Sequence, residues 1–141
     1  MKPPHERRRA DERRRDHVLG VLRDTVSAFT VDVARLMAGH QPDLLRTTSP
    51  EVAELLTRST NALVASTARV SPDFGQFAEL RVEGDLLNDP SVRCVVRLQD
   101  RSELIGADGS RLRRFHRTVV LDVRVALQAM RVCDLTCSLE G

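Results

Sequence analysis

The apolar residues of this chain change period partway along, and that change limits the folds open to it. From Val18 to Met37 they fall at Val18, Leu19, Leu22, Val26, Phe29, Val33, Leu36 and Met37, the three-and-four spacing of a helix with one buried stripe. After residue 75 they alternate instead. Ala78, Leu80, Val82 and Leu86 are interleaved with Glu79, Arg81, Glu83 and Asp85, the period of a strand with one wet face. A chain that begins in one period and ends in the other is neither all-helical nor all-sheet.

Gly39 is the expected stop of the first helix. In "TTSPEV" two start signals overlap: Thr48 with Glu51 forms a capping box, and Ser49 followed by Pro50 puts proline at the first helical position. The second helix is expected to run through Val52, Leu55, Leu56, Leu63 and Val70 and to stop near Ser71-Pro72, because proline disfavours helical geometry in the residue before it. Asn88-Asp89-Pro90 then reads as a turn. Val92, Cys94, Val96 and Leu98 face one side of the next strand while Arg93 and Arg97 face the other, and "GADGS" at 106–110 supplies Asp-Gly hairpin chemistry. A third strand carries Phe115, Val119, Leu121, Val123 and Val125 opposite Arg114, His116, Thr118, Asp122 and Arg124, and "MRVCDLTCSLE" is the fourth. The expected fold is α+β, with two N-terminal helices packed on one face of a curved four-stranded antiparallel sheet. The other face carries charges of both signs.

Before the first stripe lies "HERRRADERRRDH". Residues 1–17 hold seven basic and four acidic residues, a net of +3, while the remainder holds fifteen basic and sixteen acidic residues, a net of −1. The total of +2 is therefore a property of residues 1–17, read as a charged arm ahead of a single domain at 18–141. Nothing between Glu6 and Val18 breaks a helix. Arg8 with Glu12, Arg7 with Asp11 and Asp11 with Arg15 sit four apart, where opposite charges support a helix by about 0.2–0.5 kcal/mol per pair. The arm is expected to be helical and continuous with the first helix. As a nucleic-acid hook it is weak, because Glu6, Asp11, Glu12 and Asp16 lie among its arginines and repel phosphate. It also lacks the apolar face that interfacial insertion needs, so membrane contact is expected to be peripheral at most. What remains is a mixed-charge helical extension, either a solvated spacer or a docking element for an acidic or helical protein partner, with Arg7, Arg8, Arg9, Arg13, Arg14 and Arg15 as the candidate contacts.

With no Trp or Tyr and an aromatic share of 3%, the core must be aliphatic, and base-stacking platforms and aromatic-lined pockets are disfavoured. No stretch approaches the roughly 20 apolar residues of a membrane span, and the amino terminus lacks a signal-peptide apolar core, so a cytoplasmic setting is expected. Three cysteines do not suggest a disulfide framework.

The order "ARLMAGHQPDLLR", "TTSPEVAELL", "ELRVEGDLL", a hairpin crossed by "ADGSRLRRFHRTVVLDVRV", and a last strand "MRVCDLTCSLE" resembles the cone-shaped nuclear transport factor 2-like superfamily. Within it, the layout is similar to the carboxyl-terminal domains of mitochondrial import-motor Tim proteins and to Mce-associated proteins. The resemblance covers about residues 18–140 and is one of order and patterning. It departs at Met130, where members often carry an aromatic residue at the start of the last strand, and in the membrane-binding segments of Tim-type domains. The superfamily's enzymes work with carboxylates, tyrosines or histidines inside the cone. Without a tyrosine, the isomerase dyad has no position here.

Candidate chemistry is sparse. Cys133 and Cys137 are expected on one face of the last strand, about 13 Å apart at 3.3 Å per residue, too far to share one zinc ion. His116 with Asp122 or Asp85 is the remaining acid/base pairing, and its alternation puts His116 on the wet face with Arg114 and Arg124. His40 beside Gly39 suits a helix terminus, and Asp108-Gly109 is turn chemistry. No phosphate-binding loop, dinucleotide glycine pattern or nucleophile elbow is present. No catalytic set, metal or cofactor is expected. The leading expectation is a non-catalytic domain that binds a protein partner or self-associates. The alternative is a small-molecule-binding protein or an isomerase-, cyclase- or hydrolase-type enzyme with Leu80, Val82, Val96, Phe115, Val119 and Leu121 lining a cavity between helices and sheet.

Overall fold

The computed structural model describes residues 3–65 (63–65 as backbone only), 69–75, 77 and 79–140. The expected positions of the Leu63 side chain and of Ala78 lie outside the described residues. Two helices, α1 (Pro4–Met37) and α2 (Pro50–Ala65), flank a 3-10 turn (Leu44–Arg46). Seven strands follow: β1 (Arg69–Ser71), β2 (Leu80–Glu83), β3 (Ser91–Asp100), β4 (Glu103–Ile105), β5 (Arg111–Arg114), β6 (Arg117–Ala126) and β7 (Arg131–Glu140). The expected α+β class holds. There are, however, two antiparallel sheets, one four-stranded in the order β2-β3-β6-β7 and one three-stranded in the order β1-β4-β5.

The helix α1 is unbroken over 34 residues, about 50 Å at 1.5 Å per residue. Its buried stripe is Leu22, Val26, Phe29, Asp32 and Leu36. It ends where Gly39 adopts a φ of +93°, and the Gly39 and His40 backbone N–H groups cap the carbonyls of Leu36 and Arg35. At the start of α2 the two overlapping signals resolve in favour of Ser49. Its hydroxyl accepts from the Val52 N–H at 3.4 Å, and Pro50 is the first helical residue. Thr48 is not the cap: it is fully buried and its hydroxyl donates to the Leu44 carbonyl at 2.7 Å. The segment is fixed there because Ser49 N–H donates to the Val132 carbonyl and Val132 N–H donates to the Thr47 carbonyl. The chain from the turn into α2 thus lies against the start of β7.

Val70 corrects the helical reading of its surroundings. It is buried in β1 opposite Leu104, and Ser71, preceding proline, takes the extended geometry that proline imposes. The partner strand supplies the ladder bonds that make a strand of Arg69–Ser71. The long hairpin also divides. β3 and β6 pair in continuous register from Ser91↔Ala126 to Asp100↔Arg117, after which β4 and β5 leave to join β1. Arg101-Ser102 on one side and Phe115-His116 on the other form the junction, tied by Phe115 N–H to the Ser102 carbonyl at 2.9 Å.

Along β3 the alternation is as expected, with Val92, Cys94, Val96 and Leu98 buried, and it continues to Asp100. Val92, Cys94 and Val96, with Val123 and Val125 of β6 and Val132 of β7, meet Leu22, Val26 and Phe29 of α1 and Val52 of α2 in one cluster. Leu80, Val82 and Leu121 pack against it. At Gly84, φ +133°, a Cβ would lie 2.9 Å from Val92 Cγ1, so the β2–β3 turn requires glycine. In β7 the register shifts between Arg124 and Val125, which pair with Asp134 and Val132, leaving Cys133 as a bulge residue.

Among the described residues two carboxylates are buried in this largely aliphatic interior. Asp32, fully buried, accepts from Arg46 Nη2 at 2.6 Å, from Arg46 Nε at 3.1 Å and from the Thr47 hydroxyl at 3.2 Å. Asp100, 1% exposed, accepts from Arg117 Nε at 2.7 Å and from Ser102 N–H at 3.0 Å. Removing the carboxylate of Asp32 takes away charge-assisted bonds worth about 1.5–3 kcal/mol, and urea unfolding of Asp32→Ala should show a loss of that size. Arg46→Ala should lower the urea midpoint further than Asp32→Ala, because it leaves the carboxylate buried with only the Thr47 hydroxyl as partner. Equal midpoints for the two variants would contradict this assignment.

Candidate functional site

The three candidate acid/base residues occupy separate surroundings. His116 is exposed at the junction of the two sheets, beside Gln99, Arg101, Arg117, Thr118 and Glu140 in a polar cleft of about 300 Å³. Asp122 lies six residues further on, about 20 Å of extended chain away, and its carboxylate accepts from Arg93 Nε at 2.9 Å. Asp85 sits in the β2–β3 turn, accepting from Leu87 N–H at 2.9 Å and from the Asn88 side-chain amide at 2.9 Å.

Strands β2, β3 and β6 place Arg81, Glu83, Arg93 and Asp122 together on the outer face of the four-stranded sheet. Arg81 pairs with Glu83 at 2.7 Å, Glu83 with Arg93 at 2.9 Å, and Arg93 with Asp122. The Arg93 guanidinium holds Asp122 below the usual carboxylate range, and Arg81 and Arg93 do the same for Glu83. Burial alone would push Asp100 up, but its bonds to Ser102 and Arg117 hold it below its ordinary value. These carboxylates stay ionised at neutral pH and have their acceptor positions filled, which suits structural ion pairs better than proton transfer.

Of the side chains expected to line an apolar cavity, Val96 and Val119 are buried, and Leu80, Val82 and Leu121 pack on the core cluster. Phe115 is half-buried, with the Arg117 guanidinium 4.1 Å from its ring centroid and that of Arg113 5.1 Å away, both in cation–π range. Burial pushes the Cys94 thiol up to about 11, so it behaves as a small apolar group. Cys137 stands opposite Leu121, whereas Cys133 is the bulge residue, so the even-spacing argument for one shared face does not survive the register shift. Among the described residues no group of three or more His, Cys, Asp and Glu is placed to hold a metal ion, and no helix is long and apolar enough to cross a membrane.

The arginines proposed for partner binding all lie on α1. Residues 3–9 are exposed throughout, and Arg13, Arg14 and Arg15 are exposed as well. The ion pair formed among them is Arg14 with Asp11 at 3.7 Å, three residues apart, in place of the four-apart pairs expected. Where α1 passes the end of the four-stranded sheet, a groove of about 620 Å³ opens between the helix and two turns. Ala10, Arg13, Arg14, His17 and Val18 form the helix wall. The β2–β3 turn contributes Leu86, Leu87 and Asp89, and the β6–β7 turn contributes Leu127, Gln128 and Met130. Sequence reasoning did not find this site, because its apolar half comes from residues that read only as turn neighbours.

No family model matches the chain. No curated protein matches it in sequence. Among solved structures, it is similar to CagV, a VirB8 homologue of the T4SS from Helicobacter pylori, at 12% identity and a TM-score of 0.49 over 84% of this chain and 99% of that one. It is also similar to a de novo designed β-sheet protein, at 12% identity and a TM-score of 0.46 over 85% of this chain and 89% of the other.

The depressed carboxylates set an acid limit on stability. A group whose folded pKa lies below its unfolded value contributes stability above the unfolded value, about 3.9 for Asp, and loses it as pH falls through the folded one. Urea midpoints should therefore hold steady from pH 7 to about 5 and fall below about 4. Asp122→Asn should be less stable than the parent at pH 7 and show a shallower acid decline. An unchanged decline would remove Asp122 from this account.

Proposed function

We propose that the chain is a non-catalytic interaction domain of the nuclear transport factor 2-like type, and that the amino-terminal part of α1 docks it to a protein partner. The observation that carries this reading is the form of α1. A helix that packs into the core through Leu22, Val26 and Phe29 continues without interruption to Pro4, holding Arg7, Arg8 and Arg9 in solvent. Such a segment is held in orientation by the core, so a partner meets an ordered surface and the ordering cost of binding is reduced. The interspersed carboxylates Glu6, Asp11, Glu12 and Asp16 favour a protein with matched charges over a polyphosphate. The order of helix, helix and antiparallel meander supports the fold-family part of the proposal.

The test is affinity capture from the native host's extract with the full chain and with a variant carrying Arg7→Glu, Arg8→Glu and Arg9→Glu. These residues are exposed, so the thermal midpoint of the variant should match that of the parent. A protein recovered at near one-to-one ratio by the parent, and reduced at least tenfold with the variant, supports the reading. Equal recovery by both chains, or recovery by neither, overturns it.

A further inference from the structure

We infer that the groove beneath α1 receives an acidic amphipathic helix of the partner, an inference that rests on the interaction reading above and names the chemistry of the docked segment. The helix wall lies beside the packing face: at about 100° per residue, Val18, Arg14 and Ala10 turn away from Leu22 by about 40°, 80° and 120°, so this wall faces the groove while Leu22 and Val26 enter the core. Past the end of the sheet the helix presents Arg13, Arg14 and His17 beside Ala10 and Val18. The opposite wall presents the outer parts of Leu86, Leu87, Leu127 and Met130, all half-buried, of which Leu86, Leu127 and Met130 also pack on the core cluster. An occupant that satisfies both walls must carry apolar side chains toward the turns and carboxylates toward Arg13 and Arg14. Asp89, the carboxylate in the lining, already accepts from the Asp85 N–H at 2.7 Å, and Arg14 is held only loosely, by Asp11 at 3.7 Å.

The groove favours a helix over an extended peptide. An added strand needs an open row of backbone N–H and C=O groups, whereas these walls are a helix, whose backbone is internally bonded, and two turns. Within those turns Leu127 N–H bonds the Pro90 carbonyl and Asp89 N–H bonds the Asp85 carbonyl. A helix satisfies its own backbone and binds through side chains spaced three and four apart.

The experiment uses the full chain, which contains no Trp, so that the fluorescence of a Trp-bearing peptide reports the peptide alone. The probes are 16-residue helical peptides with Leu at three-and-four spacing and Glu elsewhere, one for each of the seven heptad registers, together with counterparts that have Lys in place of Glu. At least one Glu peptide should bind saturably with a blue-shifted Trp emission, at least tenfold tighter than its Lys counterpart. The paired change Arg13→Glu with Arg14→Glu should weaken it at least tenfold, and Leu87→Ser, at a groove residue outside the core cluster, should weaken it several-fold. Binding that ignores both variants, equal binding of Glu and Lys peptides, or no binding by any peptide overturns the inference, as does saturable binding of dodecanoate in place of every peptide. If a partner is still captured through Arg7, Arg8 and Arg9 in any of those cases, only the groove assignment fails. Loss of that capture is the separate failure of the interaction reading.

Discussion

The seating of Leu22, Val26 and Phe29 on the valine-rich face of the four-stranded sheet is the contact on which the rest of the molecule depends. Phe29 is the one aromatic residue in that buried cluster. The remainder is Val, Leu and Cys, so cohesion comes from close packing of branched aliphatic side chains and not from ring stacking. Because these three residues belong to a helix more than twice as long as the stripe they form, they also set the course of the amino-terminal segment. The direction in which Arg7 to Arg15 are presented is a consequence of core packing. So is the groove, which exists because α1 overshoots the sheet and leaves two turns beneath it.

Two ion pairs, each a buried carboxylate with a partly exposed arginine, complement this contact at positions the aliphatic core does not reach. Asp32 joins α1 to the turn that leads into α2, and Asp100 joins the end of β3 to the start of β6, where the two sheets diverge. Arg117 serves twice at that junction, bonding Asp100 and lying over Phe115. Buried pairs of this kind offset their desolvation cost only when their bonds are complete, and their main effect is to specify one arrangement. Here they specify where helix meets turn and where one sheet ends.

Much of the fold was legible in the sequence. The stripe from Val18 to Met37, the alternation of β3, the Asp-Gly turn at 108–109 and the helix start at Ser49-Pro50 all rest on interactions within a few residues. Misreadings occurred where a distant partner decided the outcome. Val70 completes a helical spacing, but Leu104 makes it a strand residue. Thr48 has capping chemistry, but Val132 holds its backbone elsewhere. Cys133 and Cys137 have the even spacing of one face, but a bulge opposite Arg124 breaks it. Asp32 follows the buried stripe in position but not in polarity, and only Arg46, fourteen residues away, makes its burial tolerable.

The sequence by itself determined the α+β class, the inner and outer faces of β3 and β6 and the placement of the basic arm on a helix, because periodicity and capping are written in neighbouring residues. The tertiary structure alone decided that the meander divides into two sheets, that two carboxylates lie inside, and that the arm stands over an apolar groove. Each of these joins segments far apart in the chain, and no local pattern specifies which distant groups will meet.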